Sequence, residues 1–475
     1  MSKHHHKKSK YNRRQFLGTA TCAAIGSTTF FSTLFNLQAM NAASMQQKPF
    51  WESPREDYRA LVCIMLGGGN DSFNMITPYS RNHYNEYART RSNMALQRSS
   101  LLKMDTRNYN EKELGFHPAL TRTKALYDQG KVAVVSNVGT LVQPTSKSDY
   151  FGTNRLPFGL YSHADQDQQW QTSVPQTNSP TGWAGRLADM VQAANSNQNI
   201  SMNISLSGKN IFQLGDTAAE YSILPTGTGS IGIYGYGANN TFDQVRTSAV
   251  KSLMEKQYQD IFKKTYAETI TASQNTHQLF SSAVGGSTLS TPFSANELSQ
   301  RMQMVARTIN VRQQLGVSRQ TFFIRFDGFD NHDELINNHN TLMSSLDAAM
   351  GEFQAALAEM GLENEVTTFT ISDFARTLTS NGNGTDHAWG GNMLVMGGKV
   401  NGKDVYGSYP SLALDSELEV GGGVLIPTLS TDEYFAELAL WYGIPKSDLP
   451  ILFPNIGNFY NTMSSMAPIG FMDLT

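Results

Sequence analysis

Short apolar runs alternate with segments of helical spacing along most of this chain. Runs rich in β-branched and aromatic residues predict buried strands at 60–66, 132–137, 203–207, 321–326, 366–371 and 393–397. Apolar residues three or four positions apart predict helices between them, at 119–129, 183–194 and 334–360. Because strands that alternate with helices usually pair in parallel, the pattern predicts an α/β fold with a mostly parallel central sheet.

The middle of the chain departs from this alternation. Residues 208–240 are crowded with Gly, Thr, Asn and Tyr, which favours irregular loops, and helical spacing then runs over 241–282 and 295–315. We interpret 208–320 as an insertion or lid on the α/β domain. A separate domain is the alternative, and it is less favoured because strand-like segments flank the region on both sides.

The first 43 residues have the pattern of an export signal. Arg13-Arg14 is followed by an apolar stretch over 16–37 and by small residues at 39–43, and no acidic residue occurs before residue 44. The pattern predicts a twin-arginine signal peptide over 1–43, a mature domain over 44–475, and export to the periplasm or beyond with the twin-arginine translocase as partner. An uncleaved anchor is the alternative, because the junction lacks a clean Ala-x-Ala.

The charge of the chain limits which partners are expected, and its cysteine content limits disulfide formation. Removing 1–43 takes away six of the 37 basic residues and leaves 31 against 40 acidic ones, so the mature chain carries about nine net negative charges. Such a chain is not expected to coat nucleic acid or anionic lipid. No stretch after residue 43 has the apolar length of a membrane span. Cys63, the one cysteine left in the mature sequence, is predicted to be buried and cannot form an intrachain disulfide.

Acidic and histidine residues that can bind metal follow three of the predicted strands. They are Asp71, Asp330, His332, Asp373, Asp386 and His387. Because sites of open α/β sheets lie at the carboxyl ends of strands, these side chains are predicted to meet. Carboxylates mixed with imidazoles indicate zinc, manganese or iron, whereas carboxylates alone would favour magnesium or calcium. We predict a divalent metal site, although an Asp taken singly is more often a helix cap or turn residue.

The residues of catalysis are less clearly marked. Ser72 is the favoured nucleophile because it adjoins the first candidate ligand, and Ser162 beside His163 is the alternative. Arg376 is predicted either to hold an anionic substrate through paired hydrogen bonds or to neutralise Asp373. His163 itself is interpreted as an ordinary hydrogen-bonded residue.

Segments in order along the chain carry a family resemblance: GGGNDSFN, GFHPAL, LYSHADQDQQWQT with TGWAGRLAD, GFDNH, SDFARTLTSNGNGTDHAWGG and STDEYFAELALWYGI. On these segments the chain resembles the twin-arginine-exported domain of unknown function 1501, a family similar to the alkaline phosphatase and sulfatase superfamily. The resemblance implies a three-layer sandwich with one or two divalent metals, such as zinc, manganese or magnesium, at the carboxyl edge of the sheet. It also implies hydrolysis of a small anionic phosphate or sulfate ester.

Two departures from the superfamily pattern concern the metal site. Asp373 is followed by Phe374, where the superfamily commonly has an Asp-His pair. Asp330 and His332 are also separated by fewer residues than the first acid–histidine pair of the superfamily. These departures weigh against a complete two-metal site.

The preferred functional hypothesis is an exported metal-dependent hydrolase of phosphate or sulfate esters, with Ser72 and Arg376 as catalytic candidates. The alternative is a non-catalytic binding or assembly protein that keeps the fold and recognises an anionic glycan or an exported partner. The density of Asp and His at the strand ends favours the enzyme, and the lack of an unmistakable nucleophile favours the alternative.

The leader generates a prediction about export. The double substitution Arg13→Lys with Arg14→Lys is expected to leave precursor in the cytoplasm, because the arginine pair is the feature that this route reads. Cell fractionation with immunoblotting measures the effect, and Lys7→Arg with Lys8→Arg is the matched control. Normal periplasmic accumulation of the Arg13/Arg14 variant would refute dependence on the twin-arginine route.

Overall fold

The computed structural model describes residues 55–107, 112–152 and 155–474, so the predicted signal peptide lies outside the described residues. The strands are β1 (Arg59–Gly67), β2 (Ile76–Pro78), β3 (Leu102–Lys103), β4 (Leu114–Phe116), β5 (Val132–Gly139), β6 (Asn203–Ser205), β7 (Tyr221–Ser222), β8 (Arg319–Asp327), β9 (Val366–Ser372), β10 (Gly391–Met396), β11 (Val405–Tyr406) and β12 (Leu429–Ser430).

The α-helices are α1 (Ser72–Met75), α2 (Arg81–Arg91), α3 (Thr121–Asp128), α4 (Lys147–Tyr150), α5 (His163–Thr172), α6 (Trp183–Val191), α7 (Thr241–Glu255), α8 (Ile261–Gly285), α9 (Glu297–Asn310), α10 (Arg312–Leu315), α11 (Leu335–Met360), α12 (Thr431–Tyr442) and α13 (Leu449–Leu452). Short 3₁₀ turns occupy Ser92–Met94, Arg98–Ser100, Gln192–Ala194, Lys446–Asp448 and Ile456–Asn458. All six predicted strands and the three helices predicted between them are present among these elements.

The central sheet is mixed and mostly parallel. Its nine strands follow the order β11-β5-β10-β9-β1-β8-β6-β7, with β12 also paired to β5. Among the strands of this sheet that the structure describes, only β10 runs antiparallel to its neighbours, β5 and β9, because a loop without a crossover helix connects it to β9. A second, antiparallel sheet contains β2, β4 and β3. The predicted α/β class with a mostly parallel sheet is confirmed.

The central strand β1 shows how both faces of the sheet are covered. Its even-numbered side chains from 60 to 66 join a core cluster with α9 and α11, and its odd-numbered ones from 61 to 65 join another with α6 and α12. Successive side chains of a strand point to opposite faces, so a strand buried on both sides is apolar throughout. The molecule is therefore the predicted three-layer sandwich. Cys63 is fully buried in the second cluster, as expected.

The predicted insertion over 208–320 contributes to the body of the domain as well as extending from it. Within it β7 extends the central sheet, and α9 buries eight of its residues. By contrast, α7 has no buried residue, and α8 becomes buried only from Ala267 onward. Among the described residues, no helix combines the length and hydrophobicity needed to span a bilayer.

Two buried histidines lie beneath the loop that follows β1. His339 of α11 donates from Nε2 to Oδ1 of Asn70 at 2.9 Å, and its ring meets the ring of His117 edge-on at 5.3 Å. Burial lowers the pKa of each imidazole to about 3. Both rings are therefore neutral at pH values at which exposed histidines would be partly protonated.

These neutral rings make stability depend on pH. Their folded pKa lies below the unfolded value of 6.5, so their contribution is complete above pH 6.5 and is lost as pH falls toward 3. Each ring should lower the free energy of unfolding by up to about 1.4 kcal/mol per pH unit over that range. Urea unfolding between pH 6.5 and 5, where most carboxylates do not titrate, measures the slope.

The variant His339→Gln is expected to reduce the slope of unfolding free energy against pH by up to about 1.4 kcal/mol per pH unit. This is the effect of one proton, because one neutral buried ring has been removed. His83→Gln, on the surface helix α2, is the control and should keep the slope of the wild type. An identical slope in His339→Gln and the wild type would contradict the assignment.

Candidate metal centre

The carboxyl ends of β1, β8 and β9 lie side by side at one edge of the central sheet. The register pairs Gly67 with Asp327 and Leu66 with Ser372, so the three strands end at the same level. The loops that follow leave the sheet together, and their polar side chains meet. The predicted position of the site at this edge agrees with the strand topology.

Two glycines let the loop after β1 pass close to the other two loops. Gly68 and Gly69 have φ values of 111° and 86°, a region that favours glycine. A Cβ atom at Gly68 would lie 2.5 Å from the backbone nitrogen of Asp330, so a larger residue would displace the loop after β8. The Gly68 N–H also donates to Oδ1 of Asp373 at 3.2 Å, which ties it to the loop after β9.

Asp373, the first residue after β9, is fully buried and orients His163 at the start of α5. His163 Nδ1 donates to Asp373 Oδ2 at 2.8 Å, which leaves Nε2 free to face Asp330 Oδ2 at 3.4 Å. The hydrogen bond to Asp373 raises the pKa of His163, against the opposite effect of burial. A carboxylate behind an imidazole is the arrangement that orients metal-binding histidines in proteins.

His387 is oriented by a backbone carbonyl. Its Nδ1 donates to the carbonyl oxygen of Tyr161 at 2.8 Å, and its Nε2 lies 3.3 Å from Asp330 Oδ1. Burial lowers the pKa of His387, which favours the neutral ring with a free Nε2 lone pair. Tyr161 has a φ of 71°, a conformation that costs on the order of 1–3 kcal/mol and is found most often at functional sites.

His332 completes a group of three similarly oriented imidazoles. Its Nδ1 donates to Asp386 Oδ1 at 3.1 Å, and its Nε2 lies 3.0 Å from Asp330 Oδ1. The same Nε2 is 3.0 Å from Nε2 of His387. Two neutral imidazoles whose Nδ1 atoms both carry the proton present lone pairs to each other at this distance, and such lone pairs repel unless a cation or a proton lies between them.

The donor set fits a divalent cation. Ligand atoms of His163, Asp330 and His387 all lie within 4.8 Å of one another. Burial raises the pKa of Asp330, but the hydrogen bond and charge of Arg376 outweigh it, so the net shift is downward and favours the carboxylate. The Asp330 side chain is 45% exposed, so the centre is open to solvent on one side.

Arg376 is fully buried and binds protein groups. Its Nη1 donates to Asp330 Oδ1 at 2.7 Å and to the carbonyl oxygen of Gly68 at 3.3 Å. Its Nε and Nη2 donate to the side chain and carbonyl oxygen of Thr385. Arg376 therefore positions Asp330, and its burial disfavours the predicted contact with a substrate anion. Its carboxylate partner is Asp330 instead of the Asp373 suggested by sequence proximity.

Asp71 and Ser72 are placed differently from the other predicted site residues. Asp71 forms an ion pair with Arg91, and both side chains are almost completely buried. The Ser72 hydroxyl is also buried and accepts a hydrogen bond from the backbone nitrogen of Asn392 at 3.0 Å. Among the described hydrogen bonds and ion pairs, neither residue contacts the three imidazoles. Their predicted roles as ligand and nucleophile stay predictions, and burial makes both less favoured.

The structure thus brings together most of the predicted site and adds a histidine to it. The residues brought together are Asp330, His332, Asp373, Arg376, Asp386 and His387. His163 joins them although it follows no predicted strand and lies 210 positions from its partner Asp373. Its one sequence signal is its place in YSHADQ, within a segment that carries the family resemblance.

A family model described as "Protein of unknown function (DUF1501)" matches residues 58–421, which is most of the chain. The chain belongs to this family. The predicted family membership is therefore confirmed. No curated protein matches the DUF1501 protein described here.

Several solved structures are similar to this DUF1501 protein. The PsFucS1 sulfatase from Pseudoalteromonas sp. has a TM-score of 0.32 and 11% identity, covering 88% of this chain and 72% of that one. The soluble domain of lipooligosaccharide phosphoethanolamine transferase A from Neisseria meningitidis has a TM-score of 0.29 and 10% identity, covering 88% and 95%. The zinc complex of the C-terminal periplasmic domain of EcEptC from Escherichia coli has a TM-score of 0.30 and 8% identity, covering 72% and 74%. At these TM-scores and sequence identities, the similarity does not assign a role to any residue of this chain.

The buried ion pair of the DUF1501 protein generates a prediction about Asp71. Arg91→Met should destabilise the fold by about 3–5 kcal/mol, because it removes the ion-pair partner of the buried Asp71 carboxylate. The double variant Asp71→Asn with Arg91→Met should recover much of that loss. Urea unfolding measures both, and Arg89→Met on the exposed side of α2 is the control.

Asp71→Asn alone is expected to keep the metal content of the wild type. Loss of metal from a well-folded Asp71→Asn protein would restore Asp71 as a ligand.

Proposed function

We propose that this DUF1501 protein is an exported metal-dependent hydrolase of phosphate or sulfate esters. One observation carries the proposal: three imidazoles have Nδ1 bound to an acceptor while their Nε2 atoms converge on one carboxylate. The acceptors are Asp373 Oδ2, Asp386 Oδ1 and the Tyr161 carbonyl oxygen. This arrangement supports a bound divalent cation because three Nε2 atoms and one carboxylate face the same space, where a cation can take the place of protons on the nitrogens.

His163, Asp330 and His387 are the proposed ligands, and His332 is the proposed fourth. A set of three nitrogens and one oxygen suits zinc or manganese better than magnesium, which prefers oxygen ligands. When bound, a divalent cation supplies Lewis-acid polarisation of an ester oxygen. The surrounding residues hold the ligands: Asp373 and Asp386 accept from imidazoles, and Arg376 donates to Asp330.

The open side of the centre is where a substrate would approach. The side chains of His332 and Asp386 are 45% and 60% exposed, whereas Asp373 is fully buried. A proton released during ester hydrolysis could pass to the Asp386 carboxylate, which already accepts from His332. Because Ser72 is buried, attack by water is favoured over attack by the Ser72 hydroxyl.

A non-catalytic metal-binding protein is the second candidate. The observation that favours it is the burial of both predicted catalytic side chains, Ser72 and Arg376. Such a protein would keep the metal for stability or for binding a partner, and it would lack ester turnover. The two candidates share the metal centre and differ in chemistry.

The metal centre is tested first, by elemental analysis of protein purified from its export route. The wild type is expected to hold a divalent ion, and zinc or manganese should raise the melting temperature of the metal-stripped protein, since binding to the native state stabilises it. His163→Ala and His387→Ala should lose most of the metal. Asp373→Asn should weaken affinity by roughly 10- to 100-fold, because it removes the charge and one of the two oxygens that accept from His163 and the Gly68 N–H.

His83→Ala is the control for a histidine distant in sequence and on a surface helix, and it should keep the metal content of the wild type. A wild-type protein without any divalent ion, whose melting temperature no divalent ion raises, would end the proposal of a metal centre.

Catalysis is tested on the metal-loaded protein with a panel of aryl phosphates, phosphodiesters and aryl sulfates. If water is the nucleophile, Ser72→Ala should keep turnover within a few-fold, while His163→Ala and His387→Ala should remove nearly all of it. If Ser72 attacks, Ser72→Ala should abolish turnover with metal content intact. Metal-loaded wild type that hydrolyses no member of the panel would favour the non-catalytic candidate.

A further inference from the structure

The segment 234–279 exposes more large apolar side chains than its length would suggest. Half of the large hydrophobic side chains that are exposed among the described residues lie between 234 and 279. Most of these belong to α7 and to the first turns of α8, which are joined by residues 256–260 and contact each other; the segment 241–266 is called the hairpin below. Exposed apolar groups clustered in this way mark interaction surfaces.

The first helix of the hairpin turns an apolar stripe toward solvent. Phe242, Val245 and Leu253 are 71%, 66% and 59% exposed, and Ala249 between them is exposed as well. Their spacing of three and four residues places them on one side of α7. The partly covered residues of the helix lie on other sides, and none of its residues is buried. The stripe is therefore an unpartnered helix face.

The end of the hairpin combines apolar and aromatic groups with lysines. Ile261 and Phe262 are 57% and 56% exposed, and Tyr266 follows one turn later at 47%. Residues 251–264 contain four lysines and two acids, which gives this segment a net charge of +2, whereas the whole chain carries −3. Two of these lysines lie near an acid one turn away, Lys251 at 3.7 Å from Glu255 and Lys264 at 3.8 Å from Glu268. This end of the molecule therefore differs in the sign of its charge from the acidic chain as a whole.

We propose that the hairpin docks on a phospholipid surface that contains anionic headgroups. Lysine stems can lie along apolar surface while their ammonium groups reach phosphates, and aromatic rings favour the interface between headgroups and acyl chains. Because no helix among the described residues can span a bilayer, the hairpin would lie in the interface with its apolar face inserted.

The negative charge of the rest of the molecule limits how strongly the hairpin would bind an anionic lipid surface. An acidic body gains little from anionic lipid, so binding depends on the local lysines and on insertion of the apolar side chains. The attraction should weaken as salt screens it, while insertion should persist. This inference concerns a surface and does not depend on the metal centre.

The test uses the full chain with vesicles of phosphatidylcholine, with and without phosphatidylglycerol. A Phe262→Trp variant reports insertion, because brominated lipids quench a tryptophan that enters the bilayer. The tryptophans of the described residues are buried and provide a constant background. Phe151→Trp, at a position that is 67% exposed and outside the hairpin, is the matched control. The predicted leader could bind vesicles in both variants, so the comparison isolates the hairpin.

Quenching of Phe262→Trp that exceeds that of Phe151→Trp, and that increases with phosphatidylglycerol, is the expected result. Adding Lys256→Glu with Lys263→Glu should weaken vesicle binding at least roughly 30-fold, as expected for the loss of two lysines at an anionic surface. Leu253→Asp should remove insertion, whereas Met463→Asp, exposed elsewhere, should not.

Equal quenching at positions 262 and 151 would overturn the proposal. So would a concentration-dependent dimer that forms without vesicles and is lost in Leu253→Asp, since a second copy would then be the occupant of the stripe.

Discussion

The parallel register of β1 with β8 and β9 is the constraint on which the candidate site depends. It ends three strands at one level, so the loops that begin after residues 67, 327 and 372 leave the sheet as neighbours. The Gly68–Gly69 turn then allows these loops to approach within hydrogen-bonding distance. A slip of one residue in this register would turn the strand side chains to the opposite face and separate the loops. Core packing on both faces of β1 makes such a slip costly.

The proposed metal centre depends on the groups that accept hydrogen bonds from the histidine Nδ1 atoms. Asp373 orients His163, Asp386 orients His332, and the strained backbone of Tyr161 orients His387. Each contact fixes the ring and selects the tautomer with a free Nε2. The same side chains in a loop without these acceptors would be free to rotate, so the acceptors are as important to the proposed metal centre as the ligands.

Burial separates residues that look alike in sequence. Asp71 and Asp330 both follow a strand of the sheet, but Asp71 is buried against Arg91, whereas Asp330 stays half exposed among imidazoles. An arginine likewise behaves differently in the two places: Arg91 compensates a buried charge, and Arg376 positions an exposed one. These differences determine which acid is accessible to a ligand from solvent and which is held in a buried ion pair.

The sequence by itself determined the strands and the mostly parallel class, and it predicted the sheet edge at which the candidate site lies, because apolar runs and the polar residues after them are local patterns. It also predicted that Asp330, His332, Asp373, Asp386 and His387 lie together, with Asp71 among them. The tertiary structure decided the rest. In the folded protein His163 lies beside the predicted ligands, and Arg376, Asp71 and Ser72 are buried. Strand β10 is antiparallel to its neighbours. Each of these outcomes depends on contacts between distant segments, and on the exposure left after packing, and neither property is encoded in local spacing.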